Sequence, residues 1–166
     1  MSSPHEFRNR DDAPDPSIAA HRHRVRIYWE DTDASGIVYH ANYLKFAERA
    51  RTEWLREMGG RQSRVLDESG IAFVVRRAVM DFHRPARLDD LLEVETRPVS
   101  ASGASMTLEQ RILAVQTGDS SAGAENSDSD AHLRPTLVTV CVQLACVARR
   151  GRAVRLPAAW RATASV

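Results

Sequence analysis

Residues 42–58, NYLKFAERARTEWLREM, carry apolar side chains at Tyr43, Phe46, Ala47, Ala50, Trp54 and Met58. Steps of three and four residues draw these into one stripe along a helix, the pattern of a segment laid on a core with its other face in water. Lys45, Glu48, Arg49, Arg51 and Glu53 fall mostly off the stripe. Asn42 reads as the N-cap and Gly59-Gly60 as the stop. A single long helix cannot build a bundle, so the remaining core must come from strands.

The flanking sequence supplies them. From His23 to Glu30 the chain alternates, with Val25, Ile27 and Trp29 on one face and Arg24, Arg26 and Tyr28 on the other. Beyond the helix, four strands are expected: Ile71–Arg84, with a bulge near Arg76-Arg77, Leu91–Val99, Ser105–Val115 and Pro135–Ala148. Gly103 marks a hairpin turn, and LVTVCVQLACVA (residues 137–148) is a β-branched run fit for a central strand. The order strand, helix, four strands predicts an α+β fold: a curved antiparallel sheet of about five strands wrapped on one central helix. The sheet's open edge and outer face then call for cover by a second copy.

The chain has 166 residues, enough for one domain with tails. Residues 1–20 are rich in Pro, Asp, Ser and Arg and read as a disordered tail; 21–150 read as the domain and 151–166 as a C-terminal tail. Within the domain, 117–133 is built of small polar and acidic residues and reads as a flexible acidic insertion between two strands. The net charge is +1, which lacks the footprint of a general nucleic-acid binder. No apolar run is long enough for stable membrane insertion, and the amino terminus lacks the pattern of a secretory signal, so the expected location is the cytoplasm. Lys45 is the only lysine and every other basic residue is arginine, which reads as a bias of composition. Cys141 and Cys146 lie in one strand about 16 Å apart, too far for a disulfide, and an odd spacing sends them to opposite faces. His21 and His23 form an H-x-H pair that with Asp31 or Asp33 would approach a zinc set, but no third ligand is fixed beside them.

The chemistry is concentrated in DTDASGIVYH, residues 31–40. Carboxylates gather where a strand ends, Ala34-Ser35-Gly36 permits a tight turn, and His40 stands at the approach to the helix. A helix start offers unpaired N–H groups and the positive end of a dipole, suited to a developing oxyanion. A carboxylate beside it can attack a carbonyl or activate water. The same residues also suit an Asx turn and a helix cap, so spacing alone leaves both readings open.

EDTDASGIVYHANYLKFAERARTEWLR, residues 30–56, resembles the signature of the hotdog-fold acyl-CoA thioesterases of the 4-hydroxybenzoyl-CoA thioesterase type, nearest the Tol–Pal-associated, YbgC-like group. VVRRAVMDFHRPARLDD, residues 74–90, and the later strands extend the resemblance less specifically. It implies a hotdog fold and hydrolysis of acyl-CoA, with acyl carrier protein as a second candidate carrier. It implies homodimers or homotetramers with sites at the subunit interface, and neither a cofactor nor a metal. The second Asp of the motif falls on Asp33, as nucleophile or general base. The following His falls on His40, whose N–H becomes the candidate oxyanion donor. Tyr28, Val38 and Tyr39 are the candidate substrate-lining residues, and Arg76, Arg77, Arg84 and Arg87 are candidates for the coenzyme A phosphates. The rival readings are a non-catalytic acyl-thioester or envelope-complex binding module and a hotdog dehydratase of hydroxyacyl thioesters. The placement of Asp33 ahead of the helix favours the hydrolase.

Overall fold

A computed structural model describes residues 19–58, 61–115 and 134–163. The acidic insertion, the Gly59-Gly60 stop and, apart from residues 19 and 20, the amino-terminal tail lie outside the described residues. The elements are β1 (His21–Arg26), α1 (His40–Glu57), α2 (Gln62–Ser69), β2 (Ile71–Phe82), β3 (Leu91–Ser102), β4 (Ser105–Ala114), β5 (Thr136–Ala148) and α3 (Ala158–Ala162). The five strands form one antiparallel sheet in the order β1-β3-β4-β5-β2, and α1 lies against it. This is the expected hotdog arrangement. No helix among the described residues is long and apolar enough to cross a membrane.

The stripe read from sequence is the face that α1 buries: Tyr43, Phe46, Ala47, Ala50 and Trp54. Ala47 and Ala50 keep the helix close to the sheet, and burying Phe46 alone contributes roughly 1.5–3 kcal/mol. The sheet answers by alternation. On β5, Val138, Val140, Val142, Leu144 and Cys146 face inward. Cys146 is buried, which pushes its thiol up, and Cys141 points to the other face.

The core has two apolar parts. One surrounds the start of α1, with Val25, Ile27, Val38, Tyr43, Phe46, Leu92, Val94 and Val138. The other surrounds its end, with Trp54, Leu55, Met106, Leu108, Val142, Leu144 and Trp160. Between them a buried polar link joins helix to sheet. Gln110 on β4 is fully buried; its Nε2 donates to the Ala47 carbonyl (2.9 Å) and to Thr96 Oγ1 (3.0 Å). Its Oε1 accepts from Arg51 Nη1 at 2.8 Å, and Arg51 also pairs with Glu48. Burial alone would lower the Arg51 pKa, and Glu48 opposes that shift. The register places Thr96 directly opposite Gln110.

The β2–β5 ladder slips by one residue between Val75 and Arg77, which sets the expected bulge at Arg76. Before it, Phe73 pairs with inward-facing Cys146; beyond it, Met80 and Phe82 pair with inward-facing Val140 and Val138. The inward positions are odd-numbered on one side of Arg76 and even-numbered on the other.

Four details differ from the sequence reading. Trp29, expected inside, is 78% exposed, because β1 ends at Arg26 and Trp29–Asp31 form a 3-10 turn. The Asp31 carboxylate accepts the Tyr28 N–H at 3.0 Å and turns the chain off the sheet. The helix begins at His40, with Tyr39 in the cap position, so Asn42 lies inside it and is buried. Gln62–Ser69 forms a helix that only Val65 and Leu66 announced by apolar character. Within the segment read as a C-terminal tail, residues 152–163 pack on the domain: the Val154 and Leu156 N–H groups donate to the Cys146 and Gly103 carbonyls, and Leu156 and Trp160 are buried.

Gln110→Ala should orphan the Arg51 guanidinium face and Thr96 together, at about 1–3 kcal/mol per orphaned group. Urea denaturation checks this, and an unchanged midpoint would show that the link carries no stability. Tyr43 makes a second prediction. Its hydroxyl accepts the buried Ala86 N–H at 2.8 Å. Its pKa is raised, first by burial and also by Asp90, against the Ala86 bond. An acid raised in the folded state stabilises fully below its unfolded value of about 10, and that contribution is lost as pH climbs beyond it. Tyr43→Phe should therefore cost about 1–3 kcal/mol at neutral pH and flatten the alkaline decline. Parallel alkaline melting curves for the two proteins would contradict the second half.

Candidate active site

The segment from Asp31 to His40 is held from two sides. On one side the Asp31 carbonyl accepts the Tyr39 N–H and the Asn42 Nδ2, both at 2.9 Å. On the other, the Val38 N–H donates to the Ala86 carbonyl at 2.9 Å, and Ile37 bridges to Arg87. Ala86 is also the residue whose N–H reaches the Tyr43 hydroxyl, so helix, loop and the β2–β3 connection meet at one residue. This explains why the helix can start without a side-chain cap at Tyr39.

Within that frame the chain makes a tight reversal. Thr32 and Val38 form an antiparallel bridge, the Asp33 N–H donates to the Ile37 carbonyl at 2.9 Å, and Gly36 returns its N–H to the Asp33 carbonyl at 3.0 Å. Gly36 has φ +74°, a left-handed conformation that glycine adopts without strain. Asp33 is exposed, and its Oδ1 accepts the Ser35 N–H at 2.8 Å. Among the described residues, no donor reaches its Oδ2. The turn orients the carboxylate and leaves one oxygen available for chemistry.

His40 is the first residue of α1, so its N–H has no intrahelical acceptor. Its ring lies 4.4 Å from that of Tyr39. It opens onto a cleft of about 280 Å³ walled by Ile37, Val38, His40 and Tyr43 on one side and Phe82, His83, Arg84 and Pro85 on the other. The second wall is fixed because the His83 and Arg84 N–H groups both donate to the Leu137 carbonyl, at 2.8 and 3.1 Å. The Phe82 ring sits 5.9 Å from that of Tyr43.

Of the residues predicted from sequence, His40 and Val38 line this cleft, Val38 from an almost fully buried position. Asp33 stands on the adjoining turn, outside the walls of its own chain's cleft, and so do Tyr28 and Tyr39, which are 60% and 46% exposed. Of the four candidate phosphate-binding arginines only Arg84 lines the cleft. Phe82, His83 and Pro85 were not singled out from sequence; what brings them over the helix start is the β2–β5 register. His21 bonds Glu57 at 3.2 Å, and among the described residues no cluster of three His, Cys, Asp or Glu is arranged to hold a metal.

Comparison with known proteins agrees with this architecture. The profile of the thioesterase superfamily matches residues 35–120, half of the chain. An acyl-CoA thioesterase YbgC of Haemophilus influenzae is 52% identical over 89 residues, 54% of this chain and 65% of that protein. The matched chain thus spans just under two thirds of that relative. A YbgC acyl-CoA thioesterase of Helicobacter pylori is 41% identical over 93 residues, 56% of this chain and 67% of its own length. The crystal structure of a probable thioesterase from Bartonella henselae superposes with a TM-score of 0.68 at 38% identity, covering 84% of this chain and all of that one. A hotdog built around this turn and helix, matched in sequence across half its length, belongs to the thioesterase superfamily.

Proposed function

We propose that this chain hydrolyses acyl-CoA thioesters to a free acid and coenzyme A. The observation that carries the reading is one clamped segment, residues 31–40, that bears both an exposed Asp33 carboxylate and, at the start of α1, an N–H with no intrahelical acceptor. A thioester carbonyl seated at the helix start is polarised by the His40 N–H and the helix dipole, and charge growing on its oxygen is stabilised there. Asp33 then acts in one of two ways. It attacks the carbonyl carbon, expelling the coenzyme A thiolate and leaving a mixed anhydride that water cleaves, or it takes a proton from the water that attacks. Both routes consume one water and yield the acid and the thiol. The apolar wall from Val38 to Phe82 suits the acyl group, and Arg84 suits a phosphate of the carrier.

Because Asp33 stands outside its own chain's cleft, it acts in this reading on a carbonyl seated at the helix start of a second copy, and the working unit is a homodimer, or a homotetramer built from dimers. Support comes from β2: it is a twelve-residue edge strand with Val74, Val75 and Phe82 between 43% and 52% exposed, an edge that invites pairing with a second copy. An acyl thioester of coenzyme A is a cytoplasmic metabolite, and that is the compartment proposed. The resemblance of residues 30–56 to the Tol–Pal-associated group adds an envelope-linked role to the proposal.

Thiol release from a panel of acyl-CoAs, acetyl to palmitoyl plus benzoyl, tests the activity. Asp33→Asn should lower kcat by about 10²–10⁴-fold with melting behaviour unchanged. His40→Pro removes the N–H itself at a position where proline suits a helix start, whereas His40→Ala keeps it. The proline variant should be about 10²–10³-fold slower than the alanine variant. No turnover of any thioester by the native chain, or full activity in Asp33→Asn, would refute the assignment. Val75→Arg should convert the oligomer to monomer in light scattering and lower activity with it. A monomeric native protein would remove the shared-site reading.

A further inference from the structure

At the end of α1 opposite His40 lies a second, half-open cavity of about 260 Å³, lined by Leu55, Val65, Leu66, Ile71, Phe73 and Trp160, with exposed Ser63 at its mouth. An unfilled apolar hollow forfeits contacts that a fitting ligand would restore to its lining. An apolar void of about 150 Å³ stays dry and takes benzene. This one has room for a ring with a short chain, or for a medium alkyl chain. The site at His40 does not account for it. Phe73 lines this cavity and Phe82 the cleft, roughly 25–30 Å apart along β2 at the rise of a strand.

A guanidinium stands beside it, on the turn after β5. Ile71 pairs with Ala148, which sets the Arg149–Gly151 turn beside the cavity. Arg149 Nη2 stands 3.4 Å from both the Leu66 carbonyl and Asp67 Oδ1, at the outer limit of a hydrogen bond, with its side chain 63% exposed. Arg64 is engaged by Glu68 at 2.6 Å, whereas among the described residues Arg61, Arg150 and Arg152 have no ion-pair partner. A guanidinium held by two long contacts gains from a carboxylate that meets it with both oxygens.

We propose that this cavity is a second ligand site, which takes the apolar tail of a small amphiphilic carboxylate while Arg149 meets the acid at the rim. The proposal stands independently of the hydrolase reading, since neither Asp33 nor His40 lines the cavity. Calorimetric titration of the full chain with octanoate and with 1-octanol tests it. Octanoate should bind saturably, one per chain, and equally well to Asp33→Asn. Val65→Phe and Ile71→Phe, two independent ways of filling the cavity, should each weaken binding at least tenfold while melting as the native chain does. Arg149→Ala should weaken octanoate severalfold and leave octanol unchanged. The proposal is overturned if octanoate gives no saturable heat, if binding survives in both filled variants, or if octanol binds as tightly as octanoate.

Discussion

The structure depends on a single amide placed where a hydrophobic residue would be expected. Gln110 occupies an inward position on β4, between the two apolar parts of the core, and spends its hydrogen bonds on the helix backbone, a neighbouring strand and Arg51. Apolar packing is non-directional and would tolerate small rotations or slides of α1 over the sheet. Hydrogen bonds in a dry interior are directional and costly to leave unmade, so they select one rotation and one height. Since the helix start lies two turns from the Ala47 carbonyl, fixing that carbonyl also fixes where the His40 N–H points.

The loop before the helix uses the same economy. Two residues, Asp31 and Ala86, hold both ends of the turn and the first turn of α1 through their backbone groups, without a side-chain cap at Tyr39. The outer face of the sheet completes the scaffold differently. Glu93 and Glu95 on β3 are nearly buried beneath Arg22 and Arg24 of β1, and Arg134 also reaches Glu93. Arginine stems cover this part of the sheet while their heads satisfy the acids, so the β3 carboxylates are shielded from water although they carry charge.

The helix stripe, the five strands, the Gly103 turn and the bulge at Arg76 were legible because each is a local pattern of period or turn chemistry. Trp29 was misplaced because alternation continues in the letters after the strand has ended; a carboxylate hydrogen bond three residues on, not hydropathy, turns the chain away. Asn42 looks like a cap by residue type, yet its amide is used inside the helix to hold Asp31. The turn bearing Asp33 and the helix start at His40 could be found as a motif. The opposing wall could not, since Phe82, His83 and Arg84 join the site through strand register, a long-range property. The packing of Leu156 and Trp160 was hidden for the same reason: two apolar residues in a polar stretch carry no periodicity.

The bulge at Arg76 makes β2 a strand of two phases. Phe73 and Phe82 differ by an odd number of positions, so in a regular strand they would face opposite sides of the sheet; one extra residue lets both face the helix, at opposite ends. The spacing between the cleft and the far cavity is therefore set by residue count rather than by residue type. Substitutions along this strand alter surfaces locally, but loss or gain of a single residue would invert the facing of everything downstream of it, Met80 and the Phe82 wall included. Lineages of this fold can thus vary the letters of β2 widely while holding its length fixed, and a length change would need a compensating one within the same strand.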